Sequence, residues 1–369
     1  MHRETVDVYE QQADKWQRVR RPLQVEAASE LGARVRSEAA GRPLVDLGCG
    51  PGWHAPALSG PDGDGRGVVA LDAARAMLEL VPRHAPGALR VQADLGALPF
   101  AAGSLGGAWA SKCYVHLARA EVPMALRDLH RSLAVGAPVE VHVFAGDLEH
   151  GPMQLDEDFA GRRFSSWPEP LLLDVVRGAG FGIDAVDHHP ARDGVDVIDV
   201  RATRQPTLSD TVGPGMRLLI CGLNPSVVSA DAGVPFFRAG NRFWPAALAS
   251  GLVTRDRDPV DALVHHGLGM TDLVKRATPR ADGLSRDEYR NGIERLERLG
   301  AWLQPGAICF VGLAGWRAAV DRRAEPGPQP LPIGGVPVYV MPSTSGVNAR
   351  VSPDELTRHL AAAAALADA

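Results

Sequence analysis

Long apolar runs are missing from this 369-residue chain; none approaches the roughly 18 residues of a membrane helix, which argues against a helical membrane protein. The amino end, Met1-His-Arg-Glu-Thr-Val-Asp, has no apolar signal-peptide core, so the expected location is the cytoplasm, with no membrane partner. Cysteine is scarce. Cys49, Cys113, Cys221 and Cys309 lie far apart, and the last two sit inside apolar, strand-like runs. That spacing argues against disulfides and against a zinc site, and no metal is expected. Lysine is scarcer still, three of 39 basic residues, which reads as a bias of the source genome and licenses no inference about phosphate binding.

What is present is ordinary for a soluble globular protein: 45% apolar and 22% charged residues. The length favours two domains, each able to bury its own core. The net charge of −5 is unevenly shared, near −6 over residues 1–205 and near +1 over 206–369. A nucleic-acid-binding surface on the second half is therefore permitted, though total charge does not demand one. There is no internal repeat.

Residues 1–40 read as helical, with Tyr9, Trp16 and Leu23 interleaved with charges. A short apolar strand then runs into glycines, Pro43-Leu-Val-Asp46-Leu-Gly48-Cys-Gly50-Pro-Gly52. Such a loop lets the backbone approach a ligand closely, because the glycines have no β-carbon. A dinucleotide fingerprint starting at Gly48 would need glycine at position 53, where Trp53 stands. Further strands are expected at Gly67–Asp72, Val91–Leu95, within Leu98–Ala110 and at Pro138–Phe144, with a helix over Glu121–Leu133. Gly180–Val186 and Val195–Arg201 suit a closing antiparallel pair.

The loop pattern D-x-G-x-G-x-G, followed by strands that end in acids, resembles motif I and its surroundings in the class I S-adenosylmethionine-dependent methyltransferases. The resemblance implies a Rossmann-like fold that binds S-adenosylmethionine through Asp46, Gly48, Gly50, Gly52, Asp72, Asp94 and Leu95. Asp72 would accept from both ribose hydroxyls and Asp94 from the adenine amino group. Lys112, Tyr114 and His116 would face the reacting methyl group, His116 as a wall of the pocket or as a general base. The family shares no catalytic base, so the methyl acceptor is not readable.

Thr203–Gly215, with two prolines and two glycines, reads as the boundary between domains 1–205 and 206–369. Beyond it, strands are expected at Arg217–Cys221, Gly267–Thr271, Ala307–Val311 and Val336–Met341, and an alanine-rich helix over Pro353–Ala369. The first strand ends in Gly222-Leu223-Asn224-Pro225, where proline forces an extended turn. This places an Asn side chain at the carboxyl edge of a sheet, where open α/β sheets hold ligands. Alone, the tetrapeptide suits a plain turn equally well.

Its company is more specific: Val234-Pro-Phe236, Gly240-Asn-Arg-Phe-Trp244 and Met341-Pro-Ser-Thr-Ser-Gly-Val-Asn-Ala-Arg350. Together these resemble the mismatch-specific uracil/thymine-DNA glycosylases of the uracil-DNA glycosylase superfamily, over about Met216–Leu360. The resemblance implies a second α/β/α domain with a mostly parallel sheet. It also implies a partner, double-stranded DNA with a G·U or G·T mismatch, whose base is flipped from the stack. Asn224 would position the hydrolytic water. Phe236 would stack on the flipped base (a core phenylalanine beside Phe237 is the alternative), with Ser229, Gly222 and Leu223 close by. The loop bearing Ser343, Ser345, Gly346, Val347 and Arg350 would enter the duplex, with Val347 as the apolar wedge. Ser226 stands where the family commonly has glycine, and Asn348 is inserted before Ala349-Arg350; both bear on base preference. Asn241 or Arg242 is expected to brace that loop. Two cysteines in each half argue against the iron–sulfur branches of the superfamily.

The expectation is thus a monomeric, bifunctional enzyme: a methyltransferase-like domain followed by a mismatch-type glycosylase. The competing expectation is a methyltransferase whose second domain binds nucleic acid without catalysis.

Overall fold

The computed structural model describes residues 2–35, 41–59, 67–153, 159–190, 194–279, 283–348 and 350–369. Residues 36–40 of the expected amino-terminal helical stretch, and Ala349 of the last motif, lie outside the described residues. Backbone packing divides the chain into two compact units, 1–176 with 181–205, and 177–180 with 206–369.

The first unit opens with helices α1 (Arg3–Val19) and α2 (Val25–Arg34). Then follow β1 (Leu44–Leu47), α3 (Ala55–Leu58), β2 (Val68–Asp72), α4 (Arg75–Leu80), β3 (Leu89–Gln92) and β4 (Gly107–Ser111). After these come α5 (Val122–Ser132), β5 (Pro138–Ala145), β6 (Ser166–Trp167), α6 (Glu169–Gly178), β7 (Phe181–Pro190) and β8 (Asp196–Arg204). The sheet order is β3-β2-β1-β4-β5-β8-β7, with β6 paired to β5. β3, β2, β1, β4 and β5 run parallel, and β8 and β7 close the sheet antiparallel. Every residue of β1 is buried, so both faces of that strand are covered, which is why it reads as an unbroken apolar run around Asp46. The strand order reverses between β1 and β4, the switch point where a doubly wound sheet opens a crevice.

The second unit contains β9 (Leu218–Gly222), α7 (Val227–Ala232), α8 (Phe243–Ala249), α9 (Pro259–His266), β10 (Leu268–Asp272) and α10 (Arg286–Leu303). It continues with β11 (Ala307–Val311), α11 (Leu313–Ala319), β12 (Gly327–Pro328), β13 (Val338–Met341) and α12 (Pro353–Ala367). The order β10-β9-β11-β13-β12 is parallel except for the short edge strand β12. Alternation along the strands builds three layers. Leu218 and Ile220 join Phe243, Trp244, Leu356 and Leu360 in one core. Their neighbours Leu219 and Cys221 join Leu296, Leu299 and Trp316 in the other. Fully burying a side chain of this size stabilises the fold by roughly 1.5–3 kcal/mol, so a run buried on both faces is the framework of the unit.

Most strands begin or end within a few residues of where the pattern put them. The stretch read as the boundary between domains is itself folded, and the division between the two units falls within it, after residue 205. Thr203 and Arg204 still belong to β8, while Thr211 bridges Met270 and Val212 is buried in the second unit's core.

Candidate functional site

In the first unit the carboxyl ends of β1, β2 and β4 converge on a cavity of about 250 Å³. Gly48 and Gly50 carry φ of +60° and +53°, and a β-carbon on Gly48 would run into Cys113, so glycine is required there. Asp72 ends β2; its Oδ2 accepts from Gly50 N and its Oδ1 from Ala74 N, each at 2.9 Å. Burial pushes its carboxyl up to about 6, against the pull of those backbone donors. Asp46 is fully buried, and burial together with the charge of Asp72 raises it well above the usual range. Its Oδ2 has no hydrogen-bond partner among the described residues.

Asp46, Gly48, Gly50 and Asp72 line the cavity; Gly52, Asp94 and Leu95 do not. Gly52 instead packs on Val81, Asp94 Oδ1 accepts from Gly96 N of its own turn at 2.8 Å, and Leu95 is buried. Asp94 follows two residues after β3 ends, and the turn draws its carboxylate back onto the backbone. Lys112 and His116 line the cavity, whereas Tyr114 is fully buried away from it. Both nitrogens of His116 are occupied, Nδ1 by Arg163 O at 2.9 Å and Nε2 by the Tyr9 hydroxyl at 2.8 Å. Burial lowers it to about 4, so it is a neutral wall of the pocket at ordinary pH.

In the second unit Asn224 sits two residues beyond β9. Its Nδ2 donates to Arg276 O (3.0 Å), Pro225 O (3.2 Å) and Thr278 Oγ1 (2.7 Å). Two of these are carbonyls, which only the amide nitrogen can satisfy, so the amide oxygen is the atom left to accept from elsewhere. Thr278 N in turn donates to Pro225 O, tying the turn to the loop after β10.

Phe236 holds φ +57°, a costly conformation for a side-chain-bearing residue. Its ring stacks on buried Phe243 with centroids 4.2 Å apart. Trp244 Nε1 holds Pro235 O at 2.8 Å, and Phe237 N donates to Ser229 Oγ at 3.2 Å. Ser229 is buried and hydrogen-bonded to Ser226 Oγ, the amino-terminal cap of α7. Gly222 is the meeting point: a β-carbon there would collide with Asp272 Oδ1 and stand 3.5 Å from Phe236 Cζ. Leu223 turns its side chain toward Gly315 of α11 and the core.

Asp272 escaped the reading of the sequence, as did Thr278. Asp272 ends β10, is paired in register with Gly222, and is 6% exposed. Burial lifts its carboxyl to about 6 despite the nearby charges of Lys275 and Arg295. Burial would lift Asp210 too, but Arg295 at 2.7 Å and Lys275 at 2.6 Å outweigh it and hold that carboxyl below its usual range. An acid at a strand end was a recognisable signal in the first half, and the same signal at Asp272 could have found this one.

A raised Asp272 makes stability pH-dependent. Between about pH 4, where an unfolded carboxyl titrates, and about 6, the folded chain holds a proton that the unfolded chain has lost. Stability from this group is therefore full below that window and falls as pH rises through it, by on the order of 2 kcal/mol. Asp272→Asn should be more stable than the parent at pH 8 and show no such advantage at pH 4, by thermal unfolding at both values. A constant difference would place the titration elsewhere.

The Ser343–Arg350 loop projects Val347, 89% exposed, with Arg350 also exposed. Ser343 and Ser345 are half-buried beneath it, and a β-carbon on Gly346 would lie 2.7 Å from Gly240 O. Arg242 braces the loop from below, donating to Val351 O (2.5 Å), Asn348 O (2.7 Å) and Ser345 O (3.4 Å). Asn241 Oδ1 accepts from Phe243 N at the start of α8. Arg242→Met should leave the loop carbonyls without their donor and speed proteolytic cutting between Ser343 and Val351 severalfold. Unchanged cutting would show that the loop is held by its own turn.

The two constellations lie at the carboxyl ends of β1, β2 and β4 in the first unit and of β9 and β10 in the second. Residues 44–136 match the family described as a methyltransferase domain, and residues 210–365 match the uracil DNA glycosylase superfamily; both domains are present. Solved structures similar to the chain include an S-adenosylmethionine-dependent methyltransferase from Mesorhizobium loti. It is 21% identical, covers 49% of this chain and all of its own, and has a TM-score of 0.40. Another is 1,6-didemethyltoxoflavin-N1-methyltransferase from Burkholderia thailandensis, with 1,6-didemethyltoxoflavin and S-adenosylhomocysteine bound. It is 23% identical, covers 54% of this chain and 85% of its own, and has a TM-score of 0.39.

Proposed function

We propose that the chain is a bifunctional enzyme. Residues 206–369 hydrolyse the N-glycosidic bond of uracil, and less readily thymine, in G·U and G·T mismatched DNA. Residues 1–205 bind S-adenosylmethionine and transfer its methyl group. The observation that carries the glycosylase reading is the pinned amide of Asn224. With its nitrogen committed to Arg276 O, Pro225 O and Thr278 Oγ1, its oxygen is left to accept from a water near Gly222 and Phe236.

An amide has almost no basicity, so the water is positioned without being deprotonated, and the reaction leans on departure of the base. Uracil opposite guanine unstacks at low cost and leaves more easily than thymine. Phe236 stacks on the flipped base, beside the close approach of Asp272 that Gly222 permits. Asp272 borders the same space and is a partner for the base edge. Val347 fills the gap in the duplex, with Arg350 reaching a phosphate or the opposite strand.

For the first unit, the buried, unpartnered Oδ2 of Asp46 and the glycine backbone beside Asp72 fit a polar, ribose-bearing cofactor. When bound, S-adenosylmethionine supplies an electrophilic methyl group; the chain's residues hold and orient it. The deciding experiment is cleavage of a labelled panel of G·U duplex, G·T duplex and single-stranded uracil DNA. The expected order is G·U over G·T. Failure on all three, with DNA binding retained, would make the second domain a nucleic-acid-binding module.

A further inference from the structure

The cavity of the first unit is roofed by α1, and the roof is fastened along its length. Thr5 Oγ1 accepts from Arg163 N at 3.0 Å, and Glu10 Oε2 from Ala76 N at 3.1 Å. Gln17 Oε1 accepts from Arg83 Nη1 at 2.9 Å, and its amide nitrogen meets His84 at 2.9 Å. Ala13, Val6, Tyr9 and Trp16 of the helix pack with Ala74, Met77 and Leu80 around α4. What lies beneath the roof is unusually aromatic for a chain with only 5% Phe, Trp and Tyr. Tyr9 meets Trp16 edge-on (centroids 5.3 Å) and His116 edge-on (5.4 Å), and His116 meets Phe164 at 5.0 Å. The Arg162 guanidinium lies 5.0–5.7 Å from the rings of Phe164, Tyr9, Trp16 and Phe159.

The polar atom in this ring cluster is the Tyr9 oxygen. His116 Nδ1 faces Arg163 O, a carbonyl, so Nδ1 carries the ring proton and Nε2 accepts from the Tyr9 hydroxyl. Arg162 Nη1 donates to the same oxygen at 3.2 Å. A phenol oxygen can accept once more, so Tyr9 can receive a hydrogen bond from a bound molecule but has no proton left to give.

From the roof, the rings and this polarity, we infer that the methyl acceptor of the first unit is a small planar aromatic molecule bearing an O–H or N–H. It binds in the cavity beneath α1, beside the Arg162 guanidinium that lies among these rings, its hydrogen directed to Tyr9. A cavity of about 250 Å³ covered on one side by a pinned helix takes a small ring and not the surface of a folded macromolecule. The inference rests on the methyltransferase reading above. Transfer forms an O–CH₃ or N–CH₃ bond from the acceptor's lone pair, breaks the S–CH₃ bond with its electrons left on sulfur, and sheds the acceptor's proton to water.

The test uses the full chain and three probes: 1-naphthol, naphthalene, which lacks the donor, and cyclohexanol, which lacks the ring. With the protein saturated in S-adenosylhomocysteine, 1-naphthol should bind at least fivefold more tightly than naphthalene, and cyclohexanol should not bind measurably. Tyr9→Phe should bring 1-naphthol down to the level of naphthalene, and Trp16→Ala should weaken both aromatic probes. Because Tyr9 and Trp16 line the cavity that also holds the cofactor, S-adenosylhomocysteine affinity is measured for each variant and the probes are compared with every protein saturated. Absence of 1-naphthol binding to the loaded protein, indifference to Tyr9→Phe, or transfer of labelled methyl into duplex DNA would each overturn the aromatic-acceptor assignment. If the parent does not bind S-adenosylhomocysteine at all, the underlying methyltransferase reading fails, a result distinct from the others.

Discussion

Asn224→Ala is expected to abolish uracil release from a G·U duplex while leaving duplex affinity nearly unchanged. The amide touches Arg276 O, Pro225 O and Thr278 Oγ1 and lies on the strand exit, apart from the exposed Val347 loop that would meet the duplex. Its loss should therefore fall on the chemical step, lowering the single-turnover rate without a matching change in dissociation constant. A loss of at least a thousandfold, about 4 kcal/mol of barrier, is the expected size. Cleavage within about threefold of the parent, roughly 0.7 kcal/mol, would remove Asn224 from the mechanism. The substitution keeps the Thr278 N to Pro225 O bond but removes the three made by the amide, so a folding defect is read separately as a lowered melting temperature. If parent and variant are equally inert, Ser226 and the altered last motif are the first features to revert.

Asp72→Ala is expected to reduce affinity for S-adenosylmethionine at least tenfold. Each hydrogen bond to a charged acceptor contributes roughly 1.5–3 kcal/mol, and the carboxylate offers two oxygens to a ribose. It also receives Gly50 N and Ala74 N, so its removal frees the glycine loop that must approach the cofactor. Calorimetry on the parent, Asp72→Ala and Asp72→Asn separates these effects. The asparagine keeps one acceptor for the loop but loses the charge, and should fall between the other two. Because burial holds Asp72 near 6, binding that requires the carboxylate should weaken as pH falls below that value. Affinity independent of pH from 5 to 8, together with an unchanged alanine variant, would assign the ribose to another residue.

How much of each centre could be read in advance differs between them. The glycine loop was legible because its constraint is local: Gly48 and Gly50 need positive φ, and no other residue supplies it cheaply. Asp72 was legible because a strand buried on every residue but its last announces its own end. Asp94 was read by the same rule and lies off the cavity, since its carboxylate turned back onto Gly96 N within its own loop. A strand end gives the position of an acid, whereas the turn after it gives the direction. Asp272 is the converse case. It met the rule and was passed over, because nothing near it in the chain indicated that its neighbour across the sheet would be Gly222.

The two α/β halves, nearly all the strands, the glycine loop and the Asn224-Pro225 turn were legible in the residues alone. This is because strands buried on both faces are continuous apolar runs, and Gly, Pro and Asn mark turns through their own backbone limits. Which side chains meet at each centre was settled by packing. Thr278 reaches Asn224 across 54 positions, Arg242 reaches the Ser343–Arg350 loop across more than 100, and Tyr9 reaches His116 across 107. Such contacts depend on how helices seat on the sheet. That seating is set by the fit of whole buried faces, to which every core residue contributes and which no local stretch of sequence encodes.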